Sequence, residues 1–168
     1  MKKSLYVFGL LLVGICFITG CNIGKKSLVY KGNGFNVTFE VINSVAYKMS
    51  NSGKDTVTNN EKSVILGDNF KIGIEEDRDI SLKIYNGDFN KYMNNFKDEK
   101  EFKKVTYNNI NGFQKYYGTR GRYEVYLPVN KDVNLKLNIY SKGKNSLSKV
   151  FKSKEVQDIL NSIVIKVK

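Results

Sequence analysis

The chain has 168 residues, 41% of them hydrophobic and 26% charged, a globular composition long enough for one domain and short for two. Its net charge of +12 favours anionic partners such as a membrane surface, a wall polymer or nucleic acid. Histidine is absent, which removes the side chain best suited to proton transfer near neutral pH and the commonest zinc ligand. Nearly all the cations are lysines beside abundant Asn and Ile, so an AT-rich genome accounts for the charge as well as a selected basic surface does. The two cysteines, Cys16 and Cys21, both lie near the N-terminus and supply neither a disulfide framework nor a thiolate metal site.

Lys2 and Lys3 precede an apolar run from Leu5 to Ile18. Its 14 residues fall short of the roughly 20 that a spanning helix needs, and a basic start with a short apolar centre describes an export signal. The run ends in Ile18-Thr19-Gly20-Cys21, which resembles the bacterial lipobox. An ordinary secretory signal with a chance cysteine and an uncleaved anchor are the alternatives. The resemblance implies that residues 1–20 are cut away and that Cys21 becomes a diacylglyceryl-modified N-terminus, with an N-acyl chain as a further modification. No other cofactor is expected. Residues 21–27 then form a lipidated tether, in which Lys25 and Lys26 sit beside anionic headgroups, and a single domain covers 28–168. The expected location is the outer face of the cytoplasmic membrane.

The domain reads mainly as strands of period two. Phe35, Val37, Phe39 and Val41 form the first apolar row. The polar stretch "MSNSGKDTVTNNEK" (49–62) predicts a long mobile loop. Phe70, Ile72 and Ile74 form the next row, then Ile80, Leu82 and Ile84. Between them "EEDRD" (75–79) packs four carboxylates into five residues and reads as a solvated turn, its spacing unlike a calcium loop. Phe89, Tyr92, Met93 and Phe96 share a helical face behind Asp88. Weak strands follow at Val105–Tyr107 and Phe113–Tyr117, with Asn111-Gly112 expected as the tight turn between them. Gly118 to Gly121 reads as a second hairpin connection. Tyr123, Val125, Leu127 and Val129 make another row, Pro128 suggesting a strand end or an edge. After Asn130-Lys131-Asp132 come Val133, Leu135, Leu137 and Ile139. Val156, Ile159, Leu160 and Ile163 then predict a helix capped by Ser153, and Ile163–Val167 a closing strand.

This order implies an α+β fold, mainly antiparallel sheet with two amphipathic helices. The stretches "GFNVTFEV", "NNINGFQKYYGTRGRYEVYLPV" and "KEVQDILNSIVI" are similar to the PsbP-like fold, which includes DcrB-type bacterial lipoproteins. That resemblance implies a sandwich with helices on both faces and a binding role rather than an activity.

Candidate binding residues are Tyr85, Tyr116, Tyr126 and Tyr140, expected on the sheet face opposite the apolar rows, where tyrosine gives contact area with a polar tip. Plain strand propensity or a covering helix explains them too. Of the three arginines, Arg120 and Arg122 share one predicted hairpin and suit carboxylate or phosphate, or are simply an exposed turn. No catalytic or metal-ligating arrangement can be assembled. The expected function is therefore a non-enzymatic, exported binding domain whose partner is an envelope protein or anionic polymer, with no nucleic acid. A solute-binding or accessory transport component is the alternative, and a hydrolase using carboxylates such as Glu75 and Asp77 the next.

Overall fold

The computed structural model of the protein describes residues 24–50, 60–78 and 102–168. Within them ten strands form two antiparallel sheets. β1 (Lys25–Gly32), β2 (Phe35–Ile42) and β10 (Val164–Val167) make the smaller sheet in the order β1-β2-β10. The larger one has the order β3-β4-β5-β9-β8-β7-β6. Its members are β3 (Ala46–Met49), β4 (Ser63–Leu66), β5 (Phe70–Asp77), β6 (Phe102–Tyr107), β7 (Ile110–Tyr117), β8 (Arg122–Asn130) and β9 (Val133–Ser141). Two helices, α1 (Leu147–Phe151) and α2 (Lys154–Asn161), lead into β10. The fold class is α+β and mainly antiparallel, as the alternation predicts.

The apolar rows form one core. Phe35, Val37, Phe39 and Val41 of β2 are buried with Ile72 and Ile74 of β5, Val125 and Leu127 of β8, and Leu135, Leu137 and Ile139 of β9. Each such side chain contributes about 1.5–3 kcal/mol by leaving water. α2 adds Val156, Ile159 and Leu160 to the same cluster. It starts where the sequence places it, with the Ser153 hydroxyl accepting the Val156 N–H. α1 is capped in the same way by Ser146, and its brevity hid it from periodicity.

Several expectations are corrected. The hairpin between β6 and β7 turns at Asn108 and Asn109, with φ of 47° and 63°, not at Asn111-Gly112. Asn tolerates the left-handed region, so Asn-Asn serves as well as Asn-Gly. Gly112 lies inside β7 because a Cβ there would overlap the backbone oxygen of Tyr126. Glu75 to Asp77 of "EEDRD" continue β5 rather than turning, and Asp79 lies outside the described residues. Pro128 fits the expected strand end or edge, lying two residues before the end of β8, at a register irregularity beyond the residues paired with β7. β1 is already paired at Lys25, opposite Ile42, three residues ahead of the expected strand start. Of the expected loop 49–62, Met49 belongs to β3 and Glu61 is buried, while residues 51–59 lie outside the described residues. The expected signal and Cys21, the row at 80–84, Tyr85 and the helix at 89–96 lie outside the described residues. Among the described residues, no helix is long and apolar enough to cross a membrane.

Candidate functional site

The outward face of the seven-stranded sheet should be wet if nothing packs on it. Instead it holds a buried polar cluster. β9 contributes Asn134, Lys136, Asn138 and Tyr140, β8 contributes Arg122, Glu124 and Tyr126, and β5 contributes Glu75. Glu61, just ahead of β4, joins them by lying over Gly73, whose missing side chain leaves the room. Glu61, Glu75 and Glu124 are 3%, 5% and 2% exposed, values at which an unpaired carboxylate is prohibitively costly.

The cost is met by pairing. The Tyr140 hydroxyl donates to Glu61 Oε1 at 2.8 Å. Asn138 Nδ2 donates to Glu75 Oε1 at 2.7 Å and to Glu61 Oε1 at 3.5 Å. Lys136 Nζ lies between Glu75 Oε2, at 3.1 Å, and Glu124 Oε1, at 3.5 Å. Arg122 donates to Glu124 Oε1 through Nε at 2.7 Å and also through Nη2. The Tyr126 hydroxyl donates to Glu124 Oε2. Burial first, and then the adjacent carboxylates, push the phenols of Tyr126 and Tyr140 well above their ordinary value. Burial alone would lower the pKa of Arg122, and Glu124 more than compensates. Both tyrosines and the arginine therefore keep their protons, and the network is locked as donors to carboxylates.

At one margin of this cluster a cleft of about 360 Å³ opens, lined by Asn60, Lys62, Glu75, Glu76, Asp77, Arg78 and Lys136. It carries three carboxylates and three cations. Glu76 faces the other way from Glu75 and ties the sheets together. It accepts from the Tyr30 hydroxyl at 2.8 Å, the Asn33 N–H at 3.1 Å and Arg78 Nη2 at 3.1 Å. The volume is in the range of small-ligand sites, but the lining is polar where such sites are mostly apolar. Among the described residues, no group of His, Cys, Asp and Glu is arranged to hold a metal ion.

No protein-family model and no curated protein matches the chain. Among solved structures it is similar to the solution structure of cyanobacterial PsbP (CyanoP) from Synechocystis sp. PCC 6803. The identity is 10%, the coverage 89% of this chain and 96% of that one, and the TM-score 0.41.

The structure separates the sequence candidates. Tyr126 and Tyr140 do lie on the outward face, but buried, with their hydroxyls given to Glu124 and Glu61. Tyr116 is on the opposite face, where it contacts Tyr123, which in turn stacks on Phe151 of α1. Arg120 and Arg122 do not act as a fork. Arg120 is exposed in a 3-10 turn, while Arg122 is buried against Glu124, and the ring of Tyr117 lies near both. Glu75 and Asp77 share a strand face, but Glu75 is committed to Lys136 and Asn138. Lys26 points away from Lys25, its Nζ donating to the Asn43 carbonyl at 3.3 Å. Glu61 cannot be read from sequence because its neighbours are loop-like; Gly73, a glycine inside an apolar strand, is the signal of a close approach there.

Proposed function

We propose that the protein is an exported lipoprotein, anchored through Cys21 to the outer face of the cytoplasmic membrane, whose domain binds an envelope protein without catalysing a reaction. The anchor reading is carried by Ile18-Thr19-Gly20-Cys21 behind its short apolar run. Two acyl chains hold a protein stably where one is marginal. Since β1 is paired from Lys25, only residues 22–24 separate the lipid from the fold, a reach of about 10 Å.

The binding reading rests on the cleft beside Glu75. Glu75 pairs with Lys136 and Glu76 with Arg78, which favours recognition over proton transfer at these groups, because a catalytic acid or base needs an uncommitted lone pair or proton. A lining of both signs matches a protein surface better than a uniformly anionic polymer. A photo-crosslinker placed at Asn60, on the cleft margin, and one at Lys144, in the exposed turn beyond the opposite end of β9, test this in intact cells. The expected result is a protein adduct from Asn60 and not from Lys144. Equal adducts from both positions, or adducts to polymer alone, contradict it.

The volume of the cleft favours one further reading, a solute-binding component of a transport system. It predicts no macromolecular adduct at either position and thermal stabilisation by low-mass envelope extract.

A further inference from the structure

The two sheets differ in what covers them. The outward face of the seven-stranded sheet is buried, whereas that of the three-stranded sheet is open. Cross-strand pairing puts Val29, Thr38 and Val164 in one row on it, and Lys31, Asn36 and Lys166 in the next. Val29 and Val164 are 42% and 38% exposed, and Lys31 and Lys166 are exposed. The alternate residues of β1 and β2, such as Tyr30, Val37 and Phe39, are the core side of the same strands. The face thus carries two exposed apolar side chains between lysines at both ends, with the half-buried Ile42 opposite Lys25. Lys25 stands at the start of β1, its Nζ 3.8 Å from Glu40, the one carboxylate on the face, so the pair leaves the charge of Lys31 and Lys166 in excess.

We infer that this face lies flat on the anionic surface of the membrane. The inference rests on the lipid anchor proposed above and adds an orientation to it. Residues 22–24 are too few to lift the start of β1 far from the lipid on Cys21. Cations within a Debye length of anionic headgroups are attracted to them. Lysine stems and the two valines suit the headgroup boundary, where apolar surface is covered and ammonium groups stay wet. From Lys25 to Lys31 the strand runs about 20 Å, so contact at both ends requires the sheet to lie down rather than stand on its first residue.

In the mature lipoprotein Cys21 is alkylated and Cys16 removed, so an introduced cysteine is the single thiol. Val29→Cys, Val164→Cys and the control Lys131→Cys, purified as lipidated full proteins, are placed in vesicles of phosphatidylcholine or of phosphatidylcholine with one-third phosphatidylglycerol. Reaction with a water-soluble maleimide is timed. At Val29→Cys and Val164→Cys the rate should fall about tenfold in anionic vesicles relative to the control, and recover in high salt or with added Lys31→Glu and Lys166→Glu. Rates like the control in both vesicles overturn the inference, as does protection that ignores the lysine reversals. If the lipid anchor itself is wrong, Cys21 reacts in every variant. Flotation then decides the face directly: wild type should float with anionic vesicles only, and the Lys31→Glu/Lys166→Glu protein with neither.

Discussion

The carboxyl group of Glu61 rests on the bare backbone of Gly73, and a Cβ at that glycine would overlap it. The same carboxylate accepts the Tyr140 hydroxyl, so a glycine in β5 fixes the position of a residue that precedes β4 and, through it, a residue of β9. Gly73→Ala should push Glu61 away and break that bond, at about 1–3 kcal/mol. Denaturant unfolding of a cycle with Tyr140→Phe checks it. The alanine should cost clearly less in the Phe background, and an equal cost in both would detach Glu61 from Tyr140.

Arg120 and Arg122 are two residues apart and should behave differently. Arg122→Ala removes the main cation from the buried carboxylate of Glu124, leaving it Lys136 and the Tyr126 hydroxyl, and should destabilise by about 1–3 kcal/mol. Arg120→Ala alters an exposed turn and should stay within about 0.5 kcal/mol. Thermal or denaturant unfolding of the two variants distinguishes this from an exposed arginine pair, for which both losses would be small.

At the β6–β7 hairpin, Gly112→Ala should cost more than Asn109→Ala. The first forces a side chain into the Tyr126 backbone, which cannot step aside, while the second only puts alanine at positive φ, at about 1–2 kcal/mol. A turn at 111–112 would reverse that order in equilibrium unfolding.

How much of this was legible follows from what each face meets. The rows through Phe35, Ile72, Val125 and Leu137 could be read because one side of each strand faces an apolar core and period two records it. The rule failed on β7, where Phe113 stacks on Tyr126 over the outward face and Tyr116 turns toward the helices. An apolar residue there no longer marks the core, because the outward face is itself buried. Arg122 and Glu124 look like a solvated hairpin for the same reason. Alternation of polar and apolar residues cannot tell water from a buried ion network. Glu61 is a tertiary fact: the β4–β5 hairpin brings it over Gly73, but the Tyr140 hydroxyl that completes its site is 79 residues away in sequence.

Acid should act through Glu76. Burial opposes its ionisation, but the Tyr30 hydroxyl, the Asn33 N–H and Arg78 outweigh burial and hold its pKa below the ordinary 4.5. A depressed folded value means that its contribution is whole above about pH 4.5 and is lost as pH falls through the lower folded value. Glu76→Gln should therefore flatten part of the decline in unfolding free energy on the acid side of pH 4.5. An unchanged acid slope in that variant would remove Glu76 from the link between the sheets.

Lipid on Cys21 is read from the mass of the N-terminal tryptic peptide of membrane-extracted protein. The expected peptide runs from Cys21 to Lys25 and carries diacylglycerol, with or without an N-acyl chain. A peptide from Ser4 to Lys25 with an unmodified Cys21 would contradict it.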